Sequence, residues 1–167
     1  MNAMREIKIE KVTLNIGCGD DPAKIEKAAK LLEILTERKP LVTKSRTRST
    51  FGVAKGKPIG AMVTLRGKKA EEFLKQALQA LENKIKNSQF DSEGNFSFGI
   101  ASYIDIPGVK YQHTIGMLGM NVIVTLKRAG YRIKRRRIQQ RKIPSKHKIK
   151  KEEVINWLKD KFGVEVV

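Results

Sequence analysis

Lys8-Ile-Glu-Lys-Val-Thr-Leu-Asn-Ile-Gly17, running on into Cys18-Gly-Asp-Asp-Pro22, sets how this chain begins to fold. Apolar residues alternate with polar ones, Ile7 and Ile9, then Val12, Leu14 and Ile16, which is the period of a strand with one buried face. The parity changes at Glu10-Lys11, as a bulge or break would change it. Turn glycines follow, then an Asp suited to cap a helix and a Pro suited to its first turn. Ile25, Ala28, Leu32 and Leu35 recur at helical spacing until Pro40 stops the pattern.

Outward from that unit, Leu41 to Thr47 reads as a second strand and Ala61 to Arg66 as a third, joined by a Gly-rich connection from Phe51 to Gly60. Ala70, Phe73, Leu74, Ala77, Leu78, Leu81 and Ile85 put one apolar stripe on a second helix. Phe96, Phe98 and Ile100, then Ile104 and Ile106, then Val122 to Leu126, read as further strands separated by Pro107-Gly108 and by Gly116 and Gly119. A short helix over Glu152 to Phe162 carries Val154, Leu158 and Phe162, with Trp157 adjacent. This order predicts an α+β fold, a mainly antiparallel sheet with helices packed on one face, in a single domain of residues 1–167.

The sheet's other face is polar. Leu14 and Ile16 point one way while Thr13 and Asn15 point the other, and Val63 and Leu65 oppose Thr64 and Arg66. The row Val42, Lys44, Arg46 carries charge whichever way its strand is turned. Such a face offers donors at strand spacing to phosphates, ribose hydroxyls and base edges. It equally fits a sheet face that only meets water, and polarity alone does not separate the two.

Charge narrows the choice. The chain has 167 residues and a net charge of +18, and 23 of its 35 Lys and Arg lie in two stretches without a single acid. Arg38 to Lys69 holds 10 of them and Lys127 to Lys151 holds 13, so the remaining 12 bases face all 17 acids. Clustered cations of this size neutralise several phosphates and release their counterions when nucleic acid binds. The second stretch centres on Lys134-Arg135-Arg136-Arg137, with Arg132, Arg141 and Lys142 nearby. Ile133, Ile138 and Ile143 are interleaved and give it something to bury, although part of it is polar enough to order only on a partner. Arginine suits bidentate phosphate contact and stacking on bases, which favours nucleic acid over a solvated tail. The 51–60 connection reads as a long flexible hairpin tip, where glycines permit close backbone approach, Lys55 and Lys57 supply point charges and Phe51 can pack on a sugar or base. It lacks the Gly-Lys-Ser/Thr of a P-loop.

Other chemistries find no support. Cys18 is alone, so it makes no internal disulfide or thiolate zinc site, and His113 and His147 have no Cys or acidic neighbours at metal spacing. Asp20 and Asp21 stand before Pro22, where capping is the better role than acid–base work. No nucleophile, acid–base pair or cofactor fingerprint argues for an RNA-modifying enzyme, and no cofactor is implied. A peripheral protein on anionic membrane would need a basic amphipathic helix, whereas the isoleucines are sparse and the terminal helix carries Glu152, Glu153 and Asp160. No apolar run reaches the roughly 20 residues of a membrane span and no signal-peptide core stands at the N-terminus, so a soluble intracellular protein is expected.

Five ordered motifs carry a resemblance. Lys8 to Gly17, Lys39-Pro-Leu-Val-Thr-Lys44, Pro58-Ile-Gly-Ala-Met-Val-Thr-Leu-Arg-Gly67, Phe90-Asp-Ser-Glu-Gly-Asn-Phe-Ser-Phe-Gly-Ile100 and Gly116-Met-Leu-Gly-Met120 are similar to those of the large-subunit ribosomal protein family conventionally numbered five. The start without an extra helix and the ending Lys146-His-Lys-Ile-Lys-Lys-Glu-Glu resemble its archaeal and eukaryotic branch. The resemblance implies a non-enzymatic constituent of the central protuberance that binds 5S rRNA through the exposed sheet face. It also implies contacts with the large-subunit rRNA, a neighbouring 5S-binding ribosomal protein, a small-subunit head protein across an intersubunit bridge, and the P-site tRNA. Carried over by motif, Asn15, Thr64 and Arg66 contact the RNA. Arg38 replaces a frequent Gln and makes that contact electrostatic, while Lys44 and Arg46 lie near the same RNA. The 51–60 loop reaches the tRNA elbow through Lys55 and Lys57.

Overall fold

The computed structural model describes residues 2–50 and 52–167. Its main strands are β1 (Lys8–Gly17), β2 (Leu41–Lys44), β3 (Pro58–Leu65), β5 (Phe96–Ile100) and β6 (Met120–Lys127), which form one sheet in the order β2-β3-β1-β6-β5. The helices are α1 (Pro22–Thr36), α2 (Lys68–Gln79) and α3 (Lys151–Phe162). The sheet is antiparallel, and the fold is the expected mixed α+β class. The short strands β4 (Lys84–Ile85) and β7 (Glu165–Val166) pair in parallel by themselves. Two compact units divide the chain, one of residues 1–12, 66–97 and 124–167, the other of residues 13–65 and 98–123.

In the second of these units, Leu14 and Ile16 of β1 and Ala61, Val63 and Leu65 of β3 are buried, as are Ile25, Ala28, Leu31 and Leu32 of α1, which packs on β3. Asp21 caps α1 by accepting from the N–H groups of Ala23 (3.0 Å) and Lys24 (3.4 Å), and Pro22 opens the helix. The helix ends before Pro40 is reached, because Glu37 takes a left-handed conformation (φ 51°) and returns its N–H to Glu33. At Gly60 a Cβ would collide with the Ile16 carbonyl oxygen, so only glycine lets β3 lie this close to β1.

The other unit buries Ala70, Phe73, Leu74, Ala77 and Leu78 of α2 together with Ile85, Phe90, Ile149, Val154 and Leu158. The helical stripe predicted to run on to Ile85 stops at Gln79. Glu82 and Asn83 both adopt positive φ, the Asn83 N–H returns to Leu78 O (3.0 Å), and Ile85 reaches the core from β4. Ile104 and Ile106 do not form a strand either. Ser102 accepts from the Ile104 N–H and Asp105 from the Ser102 N–H, each at 3.3 Å, closing a capped 3-10 turn over Tyr103–Asp105.

Candidate RNA-binding surface

Pairing places the outward side chains of β2 and β3. Leu41 stands opposite Met62 and Thr43 opposite Gly60, on the face that Thr64 shares, while Val42 opposes Ala61 on the other face. The register shifts between Thr43 and Lys44, and β2 ends there rather than at Thr47. Arg46 therefore sits in the loop that follows. Asn15 and Thr64 are half-exposed, and Arg38, Lys44, Arg46 and Arg66 are exposed. None of these four cations makes an ion pair among the described residues, so each is available to an anion.

The loop after β2 is tied across, not open. Ser45 donates its N–H to Lys57 O (2.8 Å) and accepts from the Gly56 N–H (2.9 Å), and the Ser49 N–H reaches Val53 O at 3.0 Å. These bonds extend the hairpin beyond β2 and β3 and put Val53, Gly56 and Lys57 on its paired return arm. Lys57 is held by the Asp20 carboxylate, whereas Lys55 is exposed without an ion pair among the described residues. Asp20 thus anchors the loop, while Asp21 does the capping. Phe51 lies outside the described residues.

The basic stretch from Lys127 to Lys151 is folded around internal hydrogen bonds and ion pairs. Arg128 is 6% exposed: Nη1 donates to the carbonyls of His147 (3.3 Å) and Lys148 (3.2 Å), and Nη2 meets Glu153 Oε2 at 3.0 Å. The Tyr131 hydroxyl accepts from the Ile149 N–H (3.0 Å), and the His147 Nε2–H donates to Ala129 O (2.8 Å). Glu153 also accepts from the Lys150 N–H, capping α3. Partial burial pushes its carboxyl upward, but the Lys150 N–H, the Arg128 hydrogen bond and their charges outweigh this and hold it below the usual carboxylate range. Ile143 is buried and Ile133 half-buried, yet Ile138 is 75% exposed, so two of the three isoleucines serve the fold.

Acids distant in sequence meet some of the cations in space. Glu10 holds Arg135, and Glu93 holds Lys134 (3.1 Å) and Lys148 (3.7 Å). Arg136 donates to Gln139 O (2.8 Å), while Arg137, Arg141 and Lys142 make no ion pair among the described residues. Sequence reasoning took the stretch as wholly uncompensated. It missed Arg128 and the partners Glu10, Glu93 and Glu153, since nothing along the chain marks which acid returns to which base.

Burial raises the Cys18 thiol, Lys24 opposing and Asp21 adding, so at neutral pH it is a thiol and a poor nucleophile. Among the described residues no group of three or more His, Cys, Asp and Glu gathers to hold a metal, and no helix is long and apolar enough to cross a membrane. What these surfaces offer is cationic and hydrogen-bonding capacity spread over strands and loops.

A family model described as ribosomal protein L5 matches residues 2–53, and a second, describing the C-terminus of the same ribosomal family, matches residues 58–157. The chain belongs to the ribosomal protein L5 family. The large ribosomal subunit protein uL5 of Sulfurisphaera tokodaii is 50% identical over 169 residues, covering 100% of this chain and 96% of that protein. Its counterpart in Methanobrevibacter smithii is 46% identical over 168 residues, covering 100% and 99%, and that of Nanoarchaeum equitans 48% over 166 residues, covering 98% of each. In this L5-family chain the residues left between the two matched stretches are 54–57, on the return arm of the hairpin, which carries Lys55 and Lys57.

Proposed function

We propose that this chain binds 5S rRNA in the large ribosomal subunit, with Asn15, Thr64 and Arg66 making the direct contacts. Membership of the L5 family makes it a structural constituent of that subunit, with rRNA as partner and the cytoplasmic ribosome as its location. The observation that carries the finer reading is the pairing of half-exposed Asn15 and Thr64, on the polar side of β1 and β3, with exposed cations that no carboxylate occupies. Hydroxyl and amide groups at strand spacing read ribose and base edges, and Arg66, two residues past Thr64, supplies a bidentate phosphate contact. Arg38, Lys44 and Arg46 add electrostatic contacts to the same RNA, and Arg135, Arg136 and Arg137 neutralise phosphate around it. Because Arg135 is held by Glu10, its contribution requires that pair to open or to be shared with a phosphate.

Lys55, exposed on the return arm of the 45–57 hairpin, contacts the P-site tRNA, with Phe51 and Lys57 as further contacts. The neighbouring 5S-binding ribosomal protein and a small-subunit head protein are the protein partners of this reading, which assigns no catalytic step. The test is Arg66→Ala. We expect roughly tenfold weaker binding to isolated 5S rRNA, the scale of one bidentate contact, with an unchanged melting temperature. Unchanged affinity rejects the sheet-face site.

A further inference from the structure

Within the unit built from residues 1–12, 66–97 and 124–167, a cavity of about 700 Å³ opens between β6, the Glu93-Gly94-Asn95 turn and the folded basic stretch. Its volume is that of a small-molecule pocket rather than of a gap between side chains. Five cations line it: Lys134 and Lys148 meet the lining carboxylate Glu93 and Arg135 meets Glu10, while Arg141 and Lys142 make no ion pair among the described residues. Leu126, Tyr131 and Ile143 contribute apolar and aromatic surface, and Asn95, Thr125 and Gln140 contribute polar groups. Asn95 Oδ1 already accepts from the Leu126 N–H (3.2 Å), and Gln140 Nε2 donates to Lys134 O. The amide nitrogen of Asn95 and the amide oxygen of Gln140 remain, one donor and one acceptor. The turn is fixed by Gly94 (φ 79°), where a Cβ would fall 2.7 Å from Ile149 Cγ2 and 2.9 Å from Val154 Cγ2.

Cations, an aromatic ring, and an amide donor and acceptor around one cavity are the recognition chemistry of a phosphorylated nucleoside. A base needs a flat apolar contact and a mixed hydrogen-bonding edge, and its phosphate needs the cations. We infer that this cavity receives one unstacked nucleotide of the bound rRNA, its phosphate on Arg141 and Lys142 and its base against Tyr131. A nucleotide within an RNA chain is favoured over a free one because the same stretch continues beyond the cavity with exposed Arg137 and Lys146, which suits a continuing phosphate backbone. The inference rests on the 5S rRNA reading above and adds a site to it.

The test uses the full chain with 5S rRNA. Thr125→Phe fills the cavity without changing charge, and Gln140→Trp does so from an exposed loop should the first variant fail to fold. We expect ultraviolet irradiation of the wild-type complex to leave a nucleotide adduct on the peptide containing Tyr131. A filled cavity should abolish that adduct, weaken binding about tenfold and lower the salt slope by about one as the phosphate leaves Arg141 and Lys142, whereas Arg137→Ala should lower the slope by about one and keep the adduct. Wild-type affinity and a retained adduct in both filled variants overturn the inference while leaving 5S recognition intact. If the wild type does not prefer 5S rRNA over an unrelated RNA, it is the underlying reading that fails. Adenosine or guanosine monophosphate titrated alone and saturating the Tyr131 signal at micromolar concentration would overturn the inference in favour of a free nucleotide.

Discussion

Arg128 belongs to the second acid-free stretch, yet its guanidinium is turned into the protein, between the His147 and Lys148 carbonyls and Glu153, with Nε buried and unpartnered. It is a clamp for the basic stretch, not an RNA ligand. Arg128→Ala removes the donor to two carbonyls while Glu153 stays solvated and bonded to the Lys150 N–H, and urea unfolding should register a loss of about 2 kcal/mol. The clamp is also pH-dependent. The Glu153 carboxyl is held below its ordinary value in the fold, so its contribution is complete above the ordinary carboxylate range and is lost as pH falls through the lowered value. Because that side chain is partly solvent-exposed the effect is modest, and amide protection in the first turn of α3, taken relative to the intrinsic exchange rate at each pH, should fall at low pH in the wild type but not in Glu153→Gln. Gly60→Ala is the opposite kind of change: a methyl driven against the Ile16 carbonyl should cost about 2 kcal/mol by thermal melting, and a neutral result would mean that β1 and β3 are not so closely apposed.

Elements with a full buried stripe were readable from sequence, and their ends were not. The Ile25, Ala28, Leu32 spacing gives α1, with Asp21 and Pro22 at its start as expected, but its end is made by a left-handed Glu37 that no side-chain pattern announces. Ile85 fits the period of α2 and nevertheless sits in a strand, because β7, from the far end of the chain, offers it a partner. Ser102-Tyr-Ile-Asp105 did carry a signal, the spacing of a capping box, which alternation of Ile100, Ile104 and Ile106 obscured. At the 45–57 hairpin the glycines and lysines were apparent, and the tie from Lys57 to Asp20 was not. That tie separates the two lysines. Lys55→Ala should leave affinity for isolated 5S rRNA nearly unchanged while impairing tRNA contact on assembled subunits. Lys57→Ala should in addition speed amide exchange at Ser45 and Gly56. A large loss of 5S affinity from Lys55→Ala would contradict the loop assignment.

Across the whole molecule, charge is where reading along the chain and reading in space diverge most. The two acid-free stretches predicted an uncompensated cationic surface, which the fold corrects in part. In the fold, Glu10, Glu93, Glu153 and Asp20 recruit Arg135, Lys134, Lys148, Arg128 and Lys57, so part of the excess builds the protein and the remainder faces outward. This division predicts that affinity is not the counterion term alone. Sheet residues and folded loops present groups in fixed positions, and only such groups tell one RNA from another. The decisive measurement is a filter-binding titration of the full chain against 5S rRNA and a length-matched unrelated RNA over a salt series. Preference for 5S rRNA that persists at high salt is the predicted result, and equal binding that collapses as salt rises would contradict the account.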